Sequence, residues 1–201
     1  MLRRREVTWD ACASAGVAVA DVIHSLAEAS APEGATDCTR WASEPLSKLS
    51  AYIVDRHHTF TREETDRLEA LLAKVCSEYA GRRPEVVRVR ALFKELKAEL
   101  TMHMLKEEQV LFPYIRLLEE AATVAEQAPR AFFGTVRNPV HMMMAEHDRA
   151  GDVLKEIRAL TSDFTAPEGV CVTYHALYQS LEGLEKDLHE HIHLENNILF
   201  P

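Results

Sequence analysis

The chain has 201 residues, of which 47% are hydrophobic and 27% are charged, and it carries a formal net charge of −9. That apolar content excludes wholesale disorder, and no apolar run reaches the 18 residues that a membrane-spanning helix needs. An acidic balance also argues against nucleic acid as a partner, because affinity for phosphate depends on clustered cations. The composition therefore predicts a soluble globular protein with no nucleic-acid or membrane partner.

The N-terminal part of the chain is predicted to be an extension of the main domain. We predict a helical extension over residues 1–40, made of a short helix near 8–30 and a linker over 31–39. It precedes a second region, 41–201. The four cysteines are widely separated and form no C-x-x-C pair; they are Cys12, Cys38, Cys76 and Cys171. Isolated thiols indicate a reducing compartment, so we expect a cytoplasmic protein.

Leucine, isoleucine and valine recur at spacings of three and four residues through most of the second region, whereas strand-type alternation is absent. Prolines stand before the periodic stretches, where the first turn of a helix accepts them. The pattern predicts long helices over residues 44–79, 84–118, 138–162 and 168–200. The fold class is therefore all-α, with the four helices packed as an antiparallel four-helix bundle.

An internal repeat gives this bundle a second level of order. Residues 103–113 and 191–201 share the His, the Glu four positions later and the final Leu-Phe-Pro, with an offset of 88 residues. His58 and His147 are related by an offset of 89. The first two helices are therefore interpreted as a copy of the last two.

Histidine and glutamate carry the candidate chemistry of the repeat. A His and a Glu four residues apart lie on one face of a helix, about 5–6 Å apart, where both side chains can reach one metal. We predict a metal site built from two such pairs and the repeated histidines: His58, His103, Glu107, His147, His191 and Glu195. The alternatives are that these side chains are solvated or capped surface groups, or that they form buried, hydrogen-bonded His–Glu pairs without metal.

A ligand set of nitrogen and oxygen without sulfur favours iron over zinc or manganese. If both glutamates bridge two iron ions and each ion takes two histidines, one bridging oxide completes five ligands per ion and leaves an open position. Glu99 is four residues before His103, on the same helix face, and Glu146 directly precedes His147. We expect both glutamates next to the centre, where they could relay protons or metal.

Four segments, 52–58, 103–113, 145–151 and 191–201, resemble the hemerythrin-like iron–sulfur cluster repair proteins, the Repair of Iron Centres family with its HHE cation-binding domain. The resemblance covers residues 41–201 and implies a hemerythrin-like fold. It also implies an oxo- or hydroxo-bridged di-iron centre on the six residues above, with Glu99 and Glu146 close by. Family members commonly carry adjacent cysteines in a small N-terminal domain. Here that region has the single Cys12, so the extension is degenerate in this respect.

The resemblance implies a protein of the nitrosative and oxidative stress response that maintains or repairs iron–sulfur clusters, by iron donation or by nitric oxide chemistry. Its partners would be iron–sulfur cluster proteins as clients and a small diatomic ligand, NO or O2, and a homodimer is expected. The alternative is a hemerythrin-like sensor or binding module for O2, NO or iron, without turnover. A di-iron nitric oxide reductase, oxidase or peroxidase-type activity is left open.

Overall fold

Leucines at helical spacing build long helices in the computed structural model, which describes residues 41, 43–125, 127 and 130–201. In chain order the elements are α1 (Leu46–Tyr52), a π-helical segment π1 (Ile53–His58), α2 (Thr59–Tyr79), α3 (Glu85–Lys106), π2 (Glu107–Leu111), α4 (Phe112–Thr123), α5 (Arg137–Leu160), α6 (Val172–Leu194) and π3 (Glu195–Leu199). The described residues contain no named strand, and a single β-bridge joins Ala131 to Gly134.

The α and π segments join end to end, so the elements form four long helical rods. They run over residues 46–79, 85–123, 137–160 and 172–199. The predicted boundaries agree within a few residues, and the last rod begins after Gly169, which has a left-handed φ of +75°. The all-α fold class is confirmed.

Cross-helix contacts show that neighbouring rods are antiparallel. Lys97 on α3 bonds Asp66 on α2, whereas Cys76, further along α2, bonds the carbonyl of Val86 near the start of α3. Between α3 and α5, Arg88 pairs with Glu156 and Lys106 with Glu146, so these helices also run in opposite directions. Between the first and last rods, His57 bonds Asp187 and the Tyr79 hydroxyl accepts the N–H of Cys171, which gives the same reversal. The rods therefore form an antiparallel four-helix bundle.

The apolar core occupies one part of the bundle. Its fully buried members include Leu72, Leu96, Ile157 and Leu177, together with Tyr174. Each such side chain contributes on the order of 2 kcal/mol of burial free energy. Nearer the other end, buried histidines and glutamates share the interior with further buried apolar side chains, among them Ile53, Leu111 and Leu199.

The chain divides into two units, Met1–Ser43 and Glu44–Pro201, and nearly all described residues belong to the second. The predicted helix near 8–30 and linker 31–39, with Cys12 and Cys38, lie outside the described residues. Within the part of the chain that the structure describes, no helix combines the length and the apolarity needed to cross a membrane.

Candidate metal centre

The structure brings all six predicted ligand residues together inside the bundle. They form two groups of four buried side chains, and in each group the candidate ligand atoms lie within 4.8 Å of one another. Both groups contain both glutamates. The first position is His58, His191, Glu107 and Glu195, and the second position is His103, His147, Glu107 and Glu195.

Glu107 divides its two carboxylate oxygens between the two positions. Its Oε2 lies 3.3 Å from Nε2 of His58, and its Oε1 lies 3.3 Å from Nε2 of His103. The side chain is fully buried. Glu107 can therefore give one oxygen to each of two ions.

Glu195 repeats this division from the last rod. Its Oε1 lies 2.9 Å from Nε2 of His191, and its Oε2 lies 3.0 Å from Nε2 of His147. Each position therefore has two imidazole nitrogens and one oxygen from each of two carboxylates, a donor set that suits a first-row transition metal.

The outer nitrogens of two histidines are held by carboxylates. His103 Nδ1 donates to Glu146 Oε2 over 2.8 Å, and Glu146 is paired with Lys106. His58 Nδ1 donates to Glu108 Oε1 over 2.6 Å. Because an ionised carboxylate only accepts, these bonds place a hydrogen on Nδ1 and leave Nε2, the atom that faces the cluster, as the nitrogen available to a metal.

The other two histidines have different outer contacts. His147 Nδ1 lies 3.0 Å from the side-chain oxygen of Asn196. His191 Nδ1 is buried and has no hydrogen-bond partner among the described residues, and the His191 ring stacks on His57 at 5.4 Å between centroids. His57 is itself buried and bonds Asp187 over 3.1 Å.

Several ligand atoms of the cluster are buried without an aligned hydrogen bond. They include His58 Nε2, both oxygens of Glu107 and Glu195 Oε2, even though their neighbours lie close. The Nε2 atoms of His103 and His147 are only 3.0 Å apart. Buried acceptors that face one another are costly unless a cation or proton lies between them, so the six residues fit a pair of metal ions.

The electrostatics of the cluster favour positive charge. Burial opposes protonation of His103, but Glu107, Glu195 and Glu146 outweigh it and raise its pKa to about 9. Burial likewise opposes ionisation of Glu195, yet His191 and His147 hold its pKa well below the ordinary value. The carboxylates thus favour the protonated forms of His103 and His191, and metal ions would displace those protons.

Glu99 and Glu146, expected beside the centre, have different environments. Glu146 bonds His103 directly, and Glu99 is exposed on the same face of α3. Both line a cavity of about 20 Å³ that also touches His103, His147 and His191. A space of this size holds one water-sized molecule.

The local helix geometry at the site was not predicted. π1 ends at His58, whereas π2 and π3 begin at Glu107 and Glu195. In π3 the N–H of Phe200 donates to the Glu195 carbonyl, five residues back. π-Helical turns are rare and concentrate at functional sites. The matched positions of π2 and π3 extend the internal repeat to the backbone.

Sequence reasoning missed four residues that support the cluster: Arg62, Lys106, Glu108 and Asn196. A signal for two of them was present, since Glu108 and Asn196 each follow the ligand glutamate in their copy of the repeat. His57 is also buried, and its ring stacks on His191.

An antiparallel four-helix bundle with buried histidines and shared glutamates at its centre defines a class of helical metal-binding proteins. Residues 49–201 match the model of the hemerythrin HHE cation-binding domain. The chain belongs to this family, and its fold and its cation-binding character follow from that membership.

Curated relatives make the comparison more specific. The chain is 40% identical over 164 residues to the iron-sulfur cluster repair protein YtfE of Yersinia pseudotuberculosis serotype IB (strain PB1/+), and the match covers 80% of the chain and 67% of that relative. YtfE of Yersinia pestis (strain Pestoides F) matches with the same identity and coverage.

Proposed function

We propose that this protein binds two iron ions and maintains or repairs iron–sulfur clusters in the nitrosative and oxidative stress response. The observation that carries the proposal is the division of oxygens: each of two buried glutamates offers one oxygen to each of two histidine pairs. Carboxylates placed in this way are suited to bridge two ions, because their two oxygens face different histidine pairs. The name of the relatives supports the repair role.

In this proposal four histidines and two glutamates hold the ions: His58, His103, Glu107, His147, His191 and Glu195. The iron pair would supply redox chemistry and a binding place for NO or O2. The protein's part is to exclude bulk water by burial and to hold each imidazole with Nε2 toward the centre. The cavity beside His103 supports access for one small molecule.

The clients would be proteins with damaged iron–sulfur clusters, to which the centre donates iron. Glu99 and Glu146 border the cavity and offer oxygens along a route out of the second position. We place this work in the cytoplasm, because Cys76 and Cys171 are free thiols and a reducing compartment keeps them so.

Metal content tests the first part of the proposal. Anaerobic loading with Fe²⁺ should give two ions per chain, and His191→Ala should lose iron. His189→Ala is the matched control, since His189 lies on the same helix, is exposed and stands outside both groups. One zinc ion per chain after purification and no uptake of iron would refute the di-iron centre.

Transfer tests the repair role. The iron-loaded protein is mixed with a [4Fe–4S] hydratase that nitric oxide has inactivated. Recovery of hydratase activity together with loss of bound iron supports donation, and the His191→Ala variant should give neither. Iron retained with no recovery would contradict repair by donation and favour the sensor alternative.

A further inference from the structure

The internal repeat relates more than the six ligand residues. Glu108 and Asn196 occupy equivalent positions, 88 residues apart and each directly after a ligand glutamate. Glu108 Oε1 lies 2.6 Å from Nδ1 of His58, and Asn196 Oδ1 lies 3.0 Å from Nδ1 of His147. His58 and His147 are themselves repeat partners, so the same contact is made twice.

Glu108 is held in place from its other side. Arg62 Nη2 donates to the same Oε1 atom over 2.6 Å, and the Glu108 side chain is 24% exposed. Across the His58 ring, Phe112 stacks at 5.9 Å between centroids and 18° between planes. The ring is therefore fixed by a stack on its face and by a charged hydrogen bond at its outer nitrogen.

A histidine bonded in this way has one tautomer and one orientation. Nδ1 carries the hydrogen that Glu108 accepts, and Nε2 carries the lone pair directed at Glu107 and the first position. A negative acceptor also makes the imidazole a stronger donor to a metal. Asn196 supplies the same orientation to His147 without the charge.

We infer that Glu108 is a positioning residue for His58, acting at the first metal position only, and that Asn196 is its neutral counterpart for His147 at the second. The inference rests on the proposed di-iron function. It assigns a role to the residue after each ligand glutamate, which the predicted ligand set did not include.

The repeat itself supplies the matched variants. Glu108→Ala removes the acceptor and the charge, whereas Glu108→Asn installs the residue that already reaches the equivalent histidine in the other half. Fe²⁺ affinity is measured anaerobically by competition with a chromophoric chelator. Glu108→Ala should weaken one of the two Fe²⁺ sites by about 10- to 100-fold, and Glu108→Asn should recover about fivefold of that loss, the value expected for a neutral hydrogen bond.

A second set of variants separates positioning from a general loss of stability. In a His58→Ala background, Glu108→Ala should change the remaining Fe²⁺ affinity by less than about twofold, because its effect passes through His58. Glu95→Ala, an exposed change on the same rod, is the control for surface charge. A cooperative thermal unfolding transition of each metal-free variant shows that the variant is folded.

The outcomes distinguish this inference from the proposed function. If wild type binds no pair of Fe²⁺ ions, the proposed function fails. If wild type binds two ions but Glu108→Ala does too with unchanged affinity, or if Glu108→Asn is as weak as Glu108→Ala, the positioning role is overturned. Should Glu108→Ala not fold, Asn196→Ala with His147→Ala provides the same cycle at the second position.

Discussion

The two halves of the bundle, residues 46–123 and 137–199, present the same ligands but surround them differently. Each half contributes two histidines and one glutamate to the cluster. The outer nitrogens of both first-half histidines bond carboxylates, Glu108 and Glu146. Of the second-half histidines, His147 meets an amide, and His191 meets no hydrogen-bond partner in the part of the chain that the structure describes. Each metal position takes one histidine of each kind, so the two positions are similar although the halves are not.

The same comparison applies to ion pairs away from the cluster. Lys97 on α3 bonds Glu69 on α2, and at the equivalent positions of the second half Arg158 on α5 bonds Glu185 on α6. The signs are reversed between the halves. At matched positions, Lys97 is 23% exposed against 4% for Glu185, and Glu69 is 64% exposed against 42% for Arg158, so the second-half pair is the more buried. Positions related by the repeat therefore form an ion pair in both halves, but the two pairs are buried to different extents.

The largest expected effect tests whether the halves contribute equally to the cluster. Glu107→Ala and Glu195→Ala each remove one oxygen from both positions, so each should lower iron from two ions per chain to about one or fewer. Inductively coupled plasma mass spectrometry measures the content. Glu95→Ala and Glu182→Ala are exposed controls, one in each half. A full iron complement in either ligand variant would show that its glutamate does not bridge.

The next effect concerns the unequal ion pairs. Arg158→Ala leaves the buried Glu185 carboxylate without its partner and should lower the Tm of the metal-free protein by roughly 5–10 °C. Glu69→Ala breaks an exposed pair and should lower Tm by less than about 3 °C. Thermal melts followed by circular dichroism measure both. Equal shifts would mean that burial does not separate the two pairs.

A smaller effect is expected at the neutral acceptor of the second half. Asn196→Ala removes an uncharged hydrogen bond to His147, which contributes about 1 kcal/mol, so Fe²⁺ affinity at one site should fall about fivefold. This loss should be smaller than that of Glu108→Ala, whose bond is charged. Chelator competition gives both values, and a larger loss for Asn196→Ala would reverse the proposed order.

The smallest effect concerns the start of the first rod. The Glu119 carboxylate accepts the N–H groups of Leu46 and Ser47, and the Ser47 hydroxyl and these groups together lower its pKa. Glu119→Ala should lower the free energy of unfolding by about 1 kcal/mol. Because the pKa is lowered on folding, this contribution is present at neutral pH and is lost as pH falls through the folded-state pKa. In urea titrations, the free energies of unfolding of wild type and variant should therefore differ at pH 7 and converge at low pH.

The fold and the meeting of the six side chains could be predicted because both follow from periodicity. Leucine spacing defines four rods, and the repeat places His103 with Glu107 and His191 with Glu195 at equivalent depths. The contacts of Glu108 and His57 could not be predicted, since a residue next to a ligand points about 100° away on a regular α-helix. The π segments alter that rotation at the cluster, and hydropathy carries no signal for an extra residue in a turn.

Much of the leucine-rich core lies away from the cluster, and this determines whether the protein can load and release metal repeatedly. Side chains such as Leu72 and Leu177 hold the rods together about 20 Å along the helices from His58 and His191, at 1.5 Å per residue. The protein should thus remain folded without metal ions, and chelation should leave its far-ultraviolet circular dichroism spectrum unchanged. A protein whose fold does not depend on bound metal can release its ions and bind new ones without unfolding.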